Sequence, residues 1–402
     1  MTGKVFSDFS KVAANDPISS KYAWFPEERG IDDVVREVDG NGNRMIAGPY
    51  FARNCCAFNG VDMGAAALVT SVGEARDLGI SEDKWVYVHG VASTQDMQLQ
   101  CSRASYSESI QHRVGFREAF KQAQLHNGPG DIDHFEIYSP YPCMPQLVAP
   151  ALNLQLDDPR GFTVTGGHCS HGAALGGYGV TQVAAMTMKL RSDPGSFGVV
   201  NGCGGNPMTT QSFGVYSTDA PAAGWNDRYT PPMIYNAEIA GVERPIFEHT
   251  PEGACTIETY VVPHGSPQAA PAAERNGANF ATVVGRLPNG KRFIANTAGT
   301  YDDGTFVADP APLKRLMEED GIVGGLDCTV TQDETVRPAA RLVASFDSEK
   351  LLHRAATSSR WADDRARNEA IVTQASACQP APSSLGGMSR SGSGSPGCAR
   401  DS

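Results

Sequence analysis

The sequence predicts an α/β fold followed by a small β-rich, barrel-like module, and three observations carry that prediction. Strand-like and helix-like runs alternate over residues 60–216, the signature of layered α/β architecture. After "DAPAAGWNDRYTPPMIYN" (219–236) the texture changes to strands separated by turn signals. Within that second region "LPNGKRF" (287–293) sets Asn-Gly between two strand runs, a strong hairpin signal.

Composition bounds the function. At 402 residues the chain is long enough for two or three domains, and 41% hydrophobic residues suffice for a core. A net charge of -12 with scattered basic residues excludes nucleic acid and polybasic membrane contact. No run of about 18 apolar residues forms a membrane span, and the opening "MTGKVFSDFSKVAANDP" lacks the order of a secretory signal. The ten cysteines show no regular pairing, as expected of reduced, packed thiols. The final "GCARDS" carries no peroxisomal address, so cytoplasm is the expected compartment.

Taken in order, residues 1–40 read as loop and short helix with little core, a loop-rich remnant. The α/β unit is expected over 41–220. It begins strand-like at "NRMIAGPYFARNCC" (43–56), followed in "VDMGAAALVTSVGEARDLGI" (61–80) by a small-residue strand and a helix ending at Gly79. "KWVYVHGVAS" (84–93) is a strand, and Ile110, Val114, Phe120 and Ala123 recur at mostly helical spacing over 109–125. "IDHFEIYSPY" (132–141) is a strand running into a loop, and "MPQLVAPALNL" (144–154) a helix after its proline. "FTVTGG" (162–167) reads as a strand and "GYGVTQVAAMTMKLRSDPG" (177–195) as a helix closed by its breaker. "SFGVVNGCGGNPMTTQSFGVYST" (196–218) gives two strands around a glycine turn. The β-rich module spans 221–345, with strands near 255–265, 280–297 and 327–345 and one short helix, "PLKRLMEED" (312–320). Residues 346–402 form a low-complexity tail, expected to be disordered.

Three segments could carry chemistry. "GGHCSHGAALGGYG" (166–179) sets His168, Cys169 and His171 among glycines. A thiolate nucleophile needs a base or cation beside it, so Cys169 with His171 is one reading. A glycine turn at a strand-to-helix junction is the other, since neighbouring side chains on a strand point to opposite faces. "VVNGCGGNPM" (199–208) leaves backbone amides of Gly202, Gly204 and Gly205 accessible around Cys203, suited to an oxyanion hole or to a tight hairpin around a small cysteine. "HFEIYSPYPCMP" (134–145) presents Tyr138, Tyr141 and Cys143 at a strand end, where ligands collect in open α/β sheets; aromatic packing is the alternative. Zinc needs three or four ligands, and one loop offers only His168, Cys169 and His171, so no metal is expected.

Together "NGVDMGAAALVTS", "DIDHFEIYSPYP", "VTGGHCSHGAALGGYG" and "GSFGVVNGCGGN" resemble, in order and spacing, the second half of the thiolase superfamily. With "TIETYVVPH…ATVVGRLPNGKRFIANT" they are similar to thiolase-like proteins of type 1, filed among acetyl-CoA acetyltransferases, which add a small C-terminal domain. The resemblance covers roughly residues 1–344 and implies the second half of a layered αβαβα sandwich. It implies an acyl-CoA ligand, no tightly bound cofactor, and a cysteine nucleophile in a first half that precedes the residues matched here. It also implies catalytic positions that this chain fills differently. The strand-end Asn/His position falls on Tyr138, the Gly-His-Pro histidine on Ala173, the second cysteine on Asn201, and the CoA-touching serine on Asn59. His171 lies two residues early.

The expected function is therefore an acyl-CoA-binding, catalytically degenerate thiolase-like protein, with Asn59, Tyr141 and Gly204 at the ligand. An active acyltransferase using Cys169 or Cys203 with His171 is the enzymatic alternative. A non-enzymatic, partner-docking subunit is the third, because second-half helices without a first half leave apolar surface that self-association or a partner must cover. The loss of globular texture after Ser345 fits a truncation or frame change.

Overall fold

The computed structural model describes residues 1–36, 45–48, 51–205, 208–263, 281–297, 299–302, 305–308, 326–332 and 342–345. The chain opens on helix α1 (Thr2–Asn15), which buries Val5, Phe6, Phe9 and Ala13, and packs against α2 (Ile31–Val35). This departs from the loop-rich start expected for residues 1–40. The four buried positions recur at helical spacing, and Val5, Phe6 and Phe9 join the main core. Strands β1 (Met45–Gly48) and β2 (Phe51–Ala52) follow.

The small-residue strand expected after Val61 does not form. Residues 61–70 adopt no regular structure, and Leu68 and Val69 are 74% and 81% exposed. Apolar composition alone does not make a strand, because backbone groups need a ladder partner. Helix α3 (Val72–Asp77) begins where Ser71 Oγ accepts the Glu74 N–H at 3.1 Å, and Gly79 ends the turn with φ of 66°.

The central unit comprises β3 (Tyr87–Gln95), α4 (Ile110–Gln122), β4 (His134–Ile137), α5 (Cys143–Ala151), α6 (Gly167–Ser170), α7 (Tyr178–Ser192), β5 (Phe197–Gly204) and β6 (Thr210–Ser217). Its four strands lie in the order β3-β6-β5-β4. The β4–β5 pair is parallel and requires a crossover, which α5 to α7 supply; β5–β6 is the expected antiparallel hairpin. Alternation along β5 separates two faces. Val199 joins the core that holds Phe116 and Phe120 of α4, while Val200 joins Met186 and Leu190 of α7. Glycine permits the close approach on each side. A Cβ at Gly90 would lie 2.1 Å from the Ala119 carbonyl of α4, and one at Gly198 would lie 2.2 Å from Met186 Sδ of α7.

Helices α8 (Trp225–Arg228) and α9 (Pro232–Ala240) lead to β7 (Gly253–Pro263), β8 (Thr282–Arg286), β9 (Arg292–Thr297), β10 (Gly299–Asp302), β11 (Thr305–Ala308), β12 (Leu326–Gln332) and β13 (Leu342–Ser345). Pairing runs β7–β8–β9–β13–β12 and returns to β7, so these five strands close into a ring; only β9–β13 is parallel. Closure removes the free edges that a small sheet would expose. Ile257, Val283, Phe293 and Val330 fill the interior. The Asn-Gly hairpin forms as expected, with Gly290 at φ of 81°. The expected helix at 312–320 and the tail at 346–402 lie outside the described residues.

Candidate functional site

The site is built where β4 and β5 end. The Tyr138 N–H donates to the Asn201 carbonyl at 3.1 Å, tying the two strand ends together. Two residues before the expected position at Tyr138, Glu136 is fully buried and accepts from six donors. These are the Val164 N–H at 2.8 Å, the Thr165 N–H at 3.0 Å, the Thr163 hydroxyl at 2.9 Å, the Thr165 hydroxyl at 3.0 Å, the Tyr178 hydroxyl at 3.3 Å and Gln182 Nε2 at 3.3 Å. Burial pushes its carboxyl pKa up, and the donors pull against that shift.

This network corrects the strand expected over 162–167. The amides of Val164 and Thr165 bond to a carboxylate rather than to a neighbouring strand, so "FTVTGG" runs as an irregular segment bent around Glu136. Gly166 and Gly167 follow with φ of 96° and 72°, where α6 begins. At Gly167 a Cβ would lie 2.5 Å from Phe9, so α1 and this loop demand glycine there.

His168 and Cys169 therefore sit on a short helix, not a strand, and still diverge. Cys169 is part of the main apolar core, with its Sγ 3.7 Å from Ser170 Oγ; burial pushes its thiol pKa up. His168 packs against Tyr178 at a centroid distance of 3.6 Å and meets Tyr138 edge-on at 4.2 Å. The Ser139 N–H donates to His168 Nδ1 at 3.2 Å. An amide can only donate, so neutral His168 carries its proton on Nε2. His171 is the opposite tautomer. Its Nδ1 lies 3.1 Å from the Thr165 carbonyl, which can only accept, so Nε2 keeps a lone pair. Both Nε2 atoms are buried without a partner among the described residues. Burial lowers both imidazole pKa values, and His171 lowers His168 further.

Cys203 is half-buried and receives Gln211 Nε2 at 3.1 Å; burial pushes its thiol pKa up, against pulls from Gln211 and Arg103. Asn201 is fully buried, with Nδ2 3.2 Å from Gln211 Oε1, so Gln211 links the two residues. Tyr138 lies close enough to Cys203 for its hydroxyl to feel the thiol's charge, after the larger effect of burial. Ala173 is buried, with its amide on the Phe58 carbonyl at 2.9 Å. Tyr141 is 49% exposed, and Asn59 and Gly204 are exposed. The structure thus brings Tyr138, His168, His171 and Tyr178 together, and Asn201 with Cys203. No described contact joins Cys169 or Cys203 to a histidine ring. Among the described residues no group of three His, Cys, Asp or Glu is placed to hold a metal ion, and no helix is long and apolar enough to cross a membrane.

Sequence reasoning missed Glu136 and Arg103. Glu136 had a signal, a lone carboxylate inside the apolar strand "HFEIY". Arg103 had none, since it comes from an irregular segment; it is buried, with Nε donating to the Met97 carbonyl at 3.3 Å, and its charge reaches Cys143 and Cys203.

The buried histidines predict a pH dependence of stability. Burial lowers His89, His168 and His171, and pushes His112 down to about 3, against an ordinary value of 6.5. Below that ordinary value the unfolded chain binds protons that the folded chain refuses, so stability is complete above about pH 6.5 and falls on acidification. Urea midpoints at about pH 7.5 and pH 5 should differ clearly, with the lower midpoint at the lower pH; equal midpoints would show that these rings accept protons in the folded state.

Residues 236–335 match the family model of the thiolase-like protein type 1 additional C-terminal domain, the region that holds β7 to β12. The structure is also similar to the crystal structure of a monomeric SCP2-thiolase like protein type 1 from Mycobacterium smegmatis. The TM-score is 0.67 at 28% sequence identity, covering 86% of this chain and 67% of the other. No curated protein matches the chain.

Proposed function

We propose that this chain, similar to thiolase-like proteins of type 1 in its C-terminal domain and its structure, binds an acyl-CoA-type ligand without the thiol-based chemistry of thiolases. The observation that carries the reading is the state of its two site cysteines. Cys169 belongs to the apolar core and Cys203 is held by Gln211, both thiols have raised pKa values, and neither contacts an imidazole. A thiol without a base or net cationic help is a poor nucleophile near neutral pH. Ala173, at the position of the family's Gly-His-Pro histidine, has no proton to move. The ligand would lie along the exposed edge at Asn59, Tyr141 and Gly204, with Tyr138 behind it.

Titration calorimetry of the full chain with CoA and with acetyl-CoA tests this reading. Saturable binding is expected, with a rise in unfolding free energy of about 2.7 kcal/mol at a hundredfold excess over Kd. Absence of binding heat together with an unmoved unfolding midpoint would overturn it. Exposure of Leu68 and Val69 favours a second reading, docking of a polypeptide partner or a second copy along residues 61–70. Concentration-dependent sedimentation in the absence of CoA, abolished by Leu68→Asp, is its expected signature; a monomer at every concentration that captures no partner removes it.

A further inference from the structure

We propose that His171 and His168 equip this site to hydrolyse the thioester, His171 Nε2 as general base toward water and His168 Nε2–H as donor to the carbonyl oxygen. The inference rests on the reading that the site takes an acyl-CoA thioester. Three features support it. The backbone sets the two rings in complementary tautomers, since Ser139 N–H fixes His168 as an Nε2–H donor and the Thr165 carbonyl fixes His171 as an Nε2 acceptor. Both Nε2 atoms are buried and unsatisfied among the described residues, a state that folded proteins reserve for unfilled water or ligand positions and for functional groups. Both rings flank the same residue, Tyr178, whose hydroxyl is anchored on Glu136 and Thr165.

Glu136 positions the base through Thr165. Its carboxylate takes the Thr165 amide and hydroxyl, and the Thr165 carbonyl in turn takes the His171 Nδ1–H. This arrangement holds the tautomer that leaves the Nε2 lone pair available, as an orienting partner does for any catalytic imidazole. The loop backbone is held in turn by neighbouring segments: Trp24 N–H donates to the His171 carbonyl, Phe25 N–H to the Ser170 carbonyl and Phe58 N–H to the His168 carbonyl.

In the step, His171 Nε2 takes a proton from water as the water oxygen bonds to the thioester carbon. The carbonyl π pair moves onto oxygen, which His168 Nε2–H holds. Collapse re-forms the carbonyl and breaks the C–S bond, and the departing CoA sulfur receives the proton from the His171 imidazolium. The products are a free carboxylic acid and CoA thiol, with no redox partner and no enzyme thiol.

The test follows release of CoA thiol from acetyl-CoA and decanoyl-CoA by the full chain, beside calorimetric binding of the same thioesters. The wild-type protein is expected to release thiol. His171→Gln should slow release on the order of 10²–10⁴-fold and His168→Phe on the order of 10²-fold or more, both with Kd little changed. The wild-type rate should fall along a single ionisation on the acid side of neutrality, a readout that survives even if a variant misfolds. Binding without thiol release, or a rate that only rises with hydroxide, overturns the hydrolase while leaving acyl-CoA binding intact. Failure to bind either thioester overturns both.

Discussion

Glu136→Ala is expected to cost on the order of 3–5 kcal/mol of folding free energy. The substitution leaves the Val164 and Thr165 amides, two threonine hydroxyls, the Tyr178 hydroxyl and the Gln182 amide without their shared acceptor in a region closed to water. Gln182 keeps the Asn201 carbonyl and the Thr165 amide keeps the Thr163 hydroxyl, but the Val164 amide is stranded and loses more than a hydrogen bond contributes on average, because its desolvation is no longer compensated. Glu136→Gln keeps one acceptor oxygen but turns an N–H toward groups that are themselves donors, so it should recover only part of the loss. Urea unfolding of the three proteins at neutral pH gives the comparison. A loss below about 1 kcal/mol for the alanine variant would mean that the loop carrying His168 and His171 is not organised by this carboxylate.

Arg292→Ala should have the second largest effect and a different signature. Arg292 leaves β9 of the barrel almost fully buried, donates through Nη1 to the carbonyls of Cys101 at 2.9 Å and of Arg103, and binds Glu258 through Nε. The guanidinium also lies 4.8 Å from the Tyr106 ring centroid. Truncation strands two buried carbonyls and leaves Glu258 to Arg286 alone, a loss of about 3 kcal/mol. Because these contacts join the barrel to the segment before α4, calorimetry should split one unfolding transition into two. A single transition shifted as a whole would show instead that other contacts couple the units.

Much of this architecture is legible before any coordinates. The strands at 87–95, 197–204 and 210–217 declare themselves by β-branched and aromatic runs between turn residues, and Asn289-Gly290 fixes the β8–β9 hairpin. Helices α4, α5 and α7 follow from spacing and proline position. Helix α1 was legible in Val5, Phe6, Phe9 and Ala13 but hidden among the prolines and acids that follow it. The two expected strands that fail do so for reasons outside their own composition. Residues 61–70 have the apolar content of a strand but no ladder partner, and 162–167 gives its amides to Glu136. The site shows the same division. The glycine-framed loop marked the place, but the tautomers of His168 and His171 depend on Ser139 and Thr165, contacts that no local pattern encodes. Cys169 looked reactive beside two histidines, yet helix α6 turns it into the apolar core.

The central claim is that this thiolase-like site works without a thiol nucleophile, and intact-mass measurement tests it most directly. The full chain is incubated with excess acetyl-CoA or acetoacetyl-CoA, quenched in acid and weighed. The account predicts an unmodified mass and no acyl group on Cys169 or Cys203. A stoichiometric acyl adduct mapped to either cysteine would contradict it and restore covalent thiolase chemistry to this chain.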